Sequence, residues 1–162
     1  MIAVVMGVSG AGKTAIGETL ARELGWRFID ADDYHPEANV AKMAAGQPLD
    51  DEDRWPWLDR LNTVLKEESQ AVLACSALKE RYRARLARGI GDVEWIYLKG
   101  DFDLIRSRLA QRQHRYMPAS LLESQFAALE PPPRAITVDV SADVSTCVGE
   151  ILAKLPGKIS HK

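Results

Sequence analysis

A chain of 162 residues has the length of one ordinary domain, enough to bury most of its unfolded surface without disulfide or metal staples. At 46% hydrophobic and 27% charged it reads as globular, and no apolar run approaches the length of a membrane span. The formal net charge of -2 supplies no global basic field, which argues against nucleic acid as the main partner.

Strand and helix signals alternate from end to end. Ile2 to Met6 reads as a buried strand, too short and too poor in flanking base for a signal segment. Ile16, Leu20, Ala21 and Leu24 recur at helical spacing over Thr14 to Leu24, and Gly25 suits the C-cap. Trp26 to Ile29 is a second short strand ending in Asp30-Ala31-Asp32. Pro36 fits the first turn of a helix to Ala45, closed by Gly46. Asp50 or Asp51 caps the next helix, whose apolar face is Trp57, Leu58, Leu61 and Leu65; Pro56 must lie in its first turns or bend it. Ala71 to Cys75 is a fully apolar third strand, after which Ser76 can cap a helix from Ala77 to about Ala87.

Val93 to Leu98 forms a fourth strand, and Asp101 caps a helix to about Arg112. A polar stretch from Gln113 to Pro118 precedes a short helix carrying Leu121, Leu122, Gln125, Phe126 and Leu129. Pro131 to Pro133 ends it. Ala135 to Val140 is a fifth strand, and Val144, Val148, Ile151, Leu152 and Leu155 mark a closing helix. Strands separated by helices imply a parallel sheet covered on both faces. We therefore expect a single α/β domain over residues 1–155 with a loose tail over 156–162. Cys75 and Cys147 show no metal-ligand spacing; Cys75, in an apolar run, reads as a small buried hydrophobe, and a reducing, cytoplasmic setting is expected.

The chemistry starts after the first strand. Gly7-Val8-Ser9-Gly10-Ala11-Gly12-Lys13-Thr14 fits the spacing G-x-x-x-x-G-K-[ST], between an apolar strand and an amphipathic helix as the motif requires. Glycines let main-chain amides approach phosphate oxygens and form an anion nest, and the helix N-terminus points at the same oxygens. Lys13 would reach the β- and γ-phosphates of ATP and Thr14 would offer its hydroxyl to Mg²⁺. The third strand ends in Cys75-Ser76 rather than the acid of a Walker B strand, and no Asn-Lys-x-Asp guanine-reading motif occurs. A GTPase or mechanical ATPase is thereby disfavoured. The acids sit instead at the end of the second strand. Alternate residues of an extended segment share a face, so Asp30 and Asp32 can both point toward the phosphates, where one can serve Mg²⁺ and the other can accept a proton from an attacking hydroxyl.

The segments MGVSGAGKT, DADDYHPEANVAKMAAGQPLDDEDRWPWL, CSALKERYR, YLKGDFDLI and MPASLLESQFAALEPP, running in order over nearly the whole chain, resemble the gluconate kinases. These are small members of the group that also holds shikimate and nucleoside monophosphate kinases. The resemblance implies a three-layer P-loop kinase fold with a five-stranded parallel sheet and a mobile lid at about residues 112–118. It also implies ATP and Mg²⁺ as cofactors, D-gluconate as acceptor, and a homodimer.

On this reading Asp32 faces the acceptor hydroxyl and Asp30 the Mg²⁺ shell, although the two roles could be exchanged. Arg54 suits the sugar-acid carboxylate; its bland alternative is a salt bridge to Asp50, Asp51 or Asp53. Lys79 and Arg83, one helical turn apart, are further acceptor contacts, each with a surface role as alternative. His35 either donates to a substrate hydroxyl or caps the helix after Pro36, and Gln125 either reaches the substrate or is satisfied within the protein. Among Arg108, Arg112 and Arg115, Arg112 best matches the lid arginine, with Arg108 also on the ATP side. The chain reads His114-Arg115-Tyr116 where many gluconate kinases read Gly-His-Phe. Trp26, Trp55, Trp57 and Trp95 read as core or subunit contacts rather than a sugar platform. Two rivals stand beside this reading: another small-molecule kinase with an anionic acceptor, and a nucleotide-binding module without catalysis.

Overall fold

The computed structural model describes residues 1–111 and 119–156. Five parallel strands form one sheet: β1 (Ile2–Met6), β2 (Arg27–Asp30), β3 (Ala71–Ala74), β4 (Val93–Lys99) and β5 (Ile136–Asp139), in the order β2-β3-β1-β4-β5. The chain runs from β1 to one side for β2 and β3, then to the other for β4 and β5. The topological switch therefore falls at the carboxyl end of β1, where an open α/β sheet binds its ligand. The seven helices among the described residues are α1 (Lys13–Leu24), α2 (Glu37–Ala44), α3 (Asp51–Lys66), α4 (Glu80–Ala87), α5 (Phe102–Ala110), α6 (Ala119–Ala128) and α7 (Val144–Lys154).

The period-2 alternation of β1 divides the core into two layers. Ala3 and Val5 face one side with Ile16 and Leu20 of α1, Ile105 of α5, Leu122 of α6 and Val148 and Ile151 of α7. Ile2, Val4 and Met6 face the other with Trp57, Leu58, Leu61 and Leu65 of α3 and Tyr82 and Leu86 of α4. Helices thus cover both faces, as the strand-helix alternation implies. No helix among the described residues is long and apolar enough to cross a membrane.

Local signals set most boundaries. Gly25 takes φ 73° at the end of α1 and donates to Ala21 and Arg22 carbonyls. Asp50 and Asp53 form a reciprocal capping box at the start of α3, which runs on through Pro56. Asp101 and Asp143 cap α5 and α7 through the amides of Leu104 and Thr146.

One expected cap fails. Ser76 does not start a helix: α4 begins at Glu80, with Lys79 at its N-cap. Residues 76 to 78 give their backbone groups to tertiary bonds instead. The Ser76 carbonyl accepts from Gly7 N–H at 3.3 Å and that of Leu78 accepts from Glu130 N–H at 2.7 Å. Between them Ala77 holds φ 45° while fully buried, a left-handed conformation that costs an alanine about 1–2 kcal/mol. α5 ends at Ala110 with Gln111 at its C-cap, close to the expected end.

Candidate active site

The phosphate loop joins β1 to α1 and is built from main chain. Gly10 and Gly12 take φ 85° and 99°. A Cβ on Gly10 would lie 2.8 Å from Leu109 Cγ, so the loop needs glycine there for space as well as angle. Lys13 Nζ donates to the Gly7 and Val8 carbonyls, each at 3.0 Å, which folds the ammonium back over the cradle. The amides of this nest and the N-terminus of α1 face the same space.

The acid pair meets this loop, by a different geometry from the one expected. Asp30 ends β2 in extended conformation, but the chain then turns into a 3-10 segment over Ala31–Tyr34. Asp30 Oδ1 accepts from Asp32 N–H at 3.0 Å and so caps that turn. Its other oxygen, Oδ2, accepts from Thr14 Oγ1 at 3.2 Å. The two residues assigned to Mg²⁺ are thus brought together from positions 16 apart in sequence. It is the turn, not strand alternation, that sets Asp32 beside Asp30, with its side chain 60% exposed at the sheet edge.

His35 lies under Asp32. Its ring stacks on Trp57 at 4.1 Å between centroids, and Nε2 is 3.7 Å from Asp32 Oδ1. The buried Asn39 amide Nδ2 donates to the Asp53 carbonyl at 2.9 Å and pairs with His35 Nδ1 at 3.2 Å. Because that nitrogen is a donor, His35 Nδ1 accepts and the ring proton resides on Nε2, facing Asp32. Burial lowers the His35 pKa; the Asp32 carboxylate opposes that effect and the Arg54 cation adds to it. The ring is therefore neutral near pH 7. Trp57 donates Nε1–H to the Ala31 carbonyl at 2.8 Å and fixes the 3-10 turn, a packing role as expected for the tryptophans.

Arg54 stands in the first turn of α3 among acids, yet it pairs with none of them among the described residues. Asp50 and Asp53 are held in the capping box, Asp53 also takes Lys42 at 2.7 Å, and Asp51 takes Arg81 at 2.7 Å. Arg54 Nη1 donates to the Leu49 carbonyl and, at 3.2 Å, to Tyr82 Oη. The salt-bridge alternative is thus not what the fold adopts. Lys79 is half-buried at the N-cap of α4.

Three residues named from the sequence take partners within the protein, Gln125 by the internal alternative. Arg83 is turned inward: 6% exposed, it donates to the carbonyls of Ala77 at 2.7 Å and Glu130 at 2.9 Å. It clamps the strained loop after β3 rather than reaching the acceptor, and burial lowers its pKa. Gln125 grips the phosphate loop, accepting from Ser9 N–H at 2.7 Å and donating to Ser9 Oγ at 3.1 Å. Arg108 donates to the Val140 carbonyl and ties α5 to the loop after β5. Arg112, with the lid segment 112–118 and Arg115, lies outside the described residues. Cys75 is buried, and its thiol is pushed up to about 12, so it stays protonated as the bland reading expects.

The sequence reading missed Tyr82, Asn39 and the Ser76–Leu78 backbone. Only Tyr82 left a sequence trace, an aromatic inside the CSALKERYR segment.

A glycine nest at the switch point of a parallel sheet, facing an acid pair joined to its own threonine, defines a P-loop small-molecule phosphotransferase. Residues 9–130 match the Shikimate kinase family. A probable gluconokinase of Xenopus tropicalis is 42% identical, over 98% of this chain and 95% of the relative. The thermosensitive gluconokinase of Escherichia coli K12 is 40% identical, over 98% of this chain and 91% of the relative. The crystal structure of a gluconokinase from Sinorhizobium meliloti superposes with a TM-score of 0.87 at 41% identity, over 93% of this chain and 89% of that one. The chain belongs to the shikimate kinase family and, within it, to the gluconokinases.

Proposed function

We propose that this protein transfers the γ-phosphoryl group of ATP to the terminal hydroxyl of D-gluconate, giving 6-phospho-D-gluconate and ADP. The observation that carries the reading is the hydrogen bond from Thr14 Oγ1 to Asp30 Oδ2, which joins the phosphate cradle to the acid pair. The gluconokinase relatives supply the acceptor.

The oxygen donors of Thr14 and Asp30 suit Mg²⁺, which takes one or two protein oxygens and completes its shell with phosphates and water. When bound, Mg²⁺ neutralises charge on the β- and γ-phosphate oxygens. Lys13, already over the cradle, shares that charge. The amides from Gly7 to Thr14 hold the triphosphate, and Gln125 fixes Ser9 within the loop. Arg108 steadies the loop after β5 on the nucleotide side.

Asp32 orients the acceptor hydroxyl and takes its proton as oxygen attacks the γ-phosphorus and the bond to the bridging oxygen breaks. Neutral His35 presents Nε2–H beside Asp32 and bears on substrate orientation without adding charge. Arg54 and Lys79 receive the carboxylate of the acceptor, and Arg112 closes over the transferring group. Positioning and electrostatics supply the rate enhancement. The same reading carries a cytoplasmic homodimer, which sedimentation of the purified chain checks.

ADP release measured by a coupled assay across sugar acids, shikimate and nucleoside monophosphates tests the assignment. Turnover that requires gluconate supports it. Turnover with shikimate or a nucleotide but not gluconate reassigns the acceptor, and ADP release indifferent to any acceptor removes the kinase reading.

A further inference from the structure

Arg54 stands among acids that form no ion pair with it among the described residues; it is held by the Leu49 carbonyl just before its own helix and by one side chain from another helix. Tyr82 of α4 accepts from Arg54 Nη1 at 3.2 Å and places its ring 4.8 Å from the guanidinium carbon. The tyrosine proton is committed elsewhere, to Asp51 Oδ1 at 2.6 Å, so the phenol oxygen presents a lone pair to Arg54. Asp51 in turn accepts two hydrogen bonds from Arg81, at 2.7 and 3.1 Å, which match its charge and keep it from collapsing onto Arg54. Those bonds, with the one from Tyr82, hold the Asp51 carboxyl down to about 2. Nη1 is thereby fixed on one side, while Nε and Nη2 meet no acceptor among the described residues. One edge of the fork is anchored and the other is left for an anion.

We propose that Tyr82, held by Asp51, is a positioning residue that aims Arg54 at the acceptor carboxylate and so sets affinity for an acidic acceptor. The inference rests on the assignment of Arg54 to that carboxylate. Tyr82, only 4% exposed, acts through Arg54.

A double-mutant cycle tests it on the full-length chain, with initial rates at saturating ATP over a range of gluconate concentrations. Arg54→Lys keeps the charge but loses the two-pronged fork, and is expected to raise the gluconate KM about tenfold or more. Tyr82→Phe keeps the ring but loses the acceptor, and should raise that KM about fivefold to tenfold with kcat and the ATP KM within about twofold. Combined with Arg54→Lys, Tyr82→Phe should add nothing beyond about twofold, because its effect passes through the arginine. A merely structural tyrosine would give effects that multiply, or would move kcat and the ATP KM together, and either result overturns the proposal. An unchanged gluconate KM in Tyr82→Phe overturns it too. If Arg54→Lys itself leaves the gluconate KM unchanged, the carboxylate assignment of Arg54 falls first. Should Tyr82→Phe fail to fold, Asp51→Ala removes the hydrogen-bond acceptor at the partly exposed end of the same relay and must reproduce the KM effect.

Discussion

The phosphate loop and the acceptor rim sit side by side at the carboxyl edge of the sheet and are built on opposite principles. The loop is contiguous, eight residues from Gly7 to Thr14, and its chemistry is main-chain amides held by backbone angle. The rim is assembled from the ends of β2 and β3 and from α2, α3 and α4, and its chemistry is side chains buttressed by other side chains. Asn39 fixes the tautomer of His35, Trp57 stacks on it, and Tyr82 holds Arg54. A nucleotide triphosphate is the same ligand for a whole class of kinases, so a backbone cradle suffices. An acceptor must be distinguished from its analogues, which calls for groups of particular charge and shape.

The largest effect that would sharpen this contrast belongs to Asp32→Asn. It should lower kcat by about 10²- to 10⁴-fold, the range for loss of a positioned general base. ATP affinity, read by nucleotide titration, should hold within about twofold. A parallel fall in ATP affinity would mean the two regions are not separable. Gly10→Ala probes the other side. The left-handed angle and the 2.8 Å approach to Leu109 predict a loss of about 1–3 kcal/mol in urea unfolding, together with a weaker ATP KM. An unperturbed ATP KM would break the claim that backbone shape makes the cradle.

A smaller effect is expected from pH. The folded state lowers the His35 pKa below its unfolded value of 6.5, so between the two the unfolded chain binds more protons. Stability is therefore full above pH 6.5 and declines as pH falls toward the lower folded value. Thermal melts from pH 7.5 to 5 should show that decline, and His35→Gln should reduce it. An identical profile in the variant would remove the buried neutral histidine from the rim. The smallest effect is at Ala77. Replacement by glycine relieves the left-handed strain and adds backbone entropy, which nearly cancel, so stability should change by less than about 1 kcal/mol. Ala77→Val should cost about 2 kcal/mol or more, since a β-branched residue is least tolerated at φ 45°.

How far each region can be read in advance follows the same division. The span from β1 through α1 was legible residue by residue, because a nest, its glycines and its helix are neighbours in sequence. The acid pair was legible in identity but not in geometry, since the 3-10 turn depends on Trp57 reaching Ala31 from 26 residues away. Arg54 and Lys79 could be named from their segments, while their surroundings could not. Arg83 was left between an acceptor contact and a surface role, because helical spacing shows only that it lies one turn beyond Lys79. Its true partners, Ala77 and Glu130, are 6 and 47 residues distant.

The amino-acid order alone determined the strand-helix alternation, the phosphate nest and the family of the chain, because each rests on local periodicity or on a contiguous motif. Which arginine turns inward, which nitrogen of His35 carries the proton, and why Ser76 opens a strained loop instead of a helix were decided by the tertiary structure. Those outcomes turn on hydrogen bonds between segments far apart in sequence, and no local pattern records where a distant carbonyl or amide comes to rest.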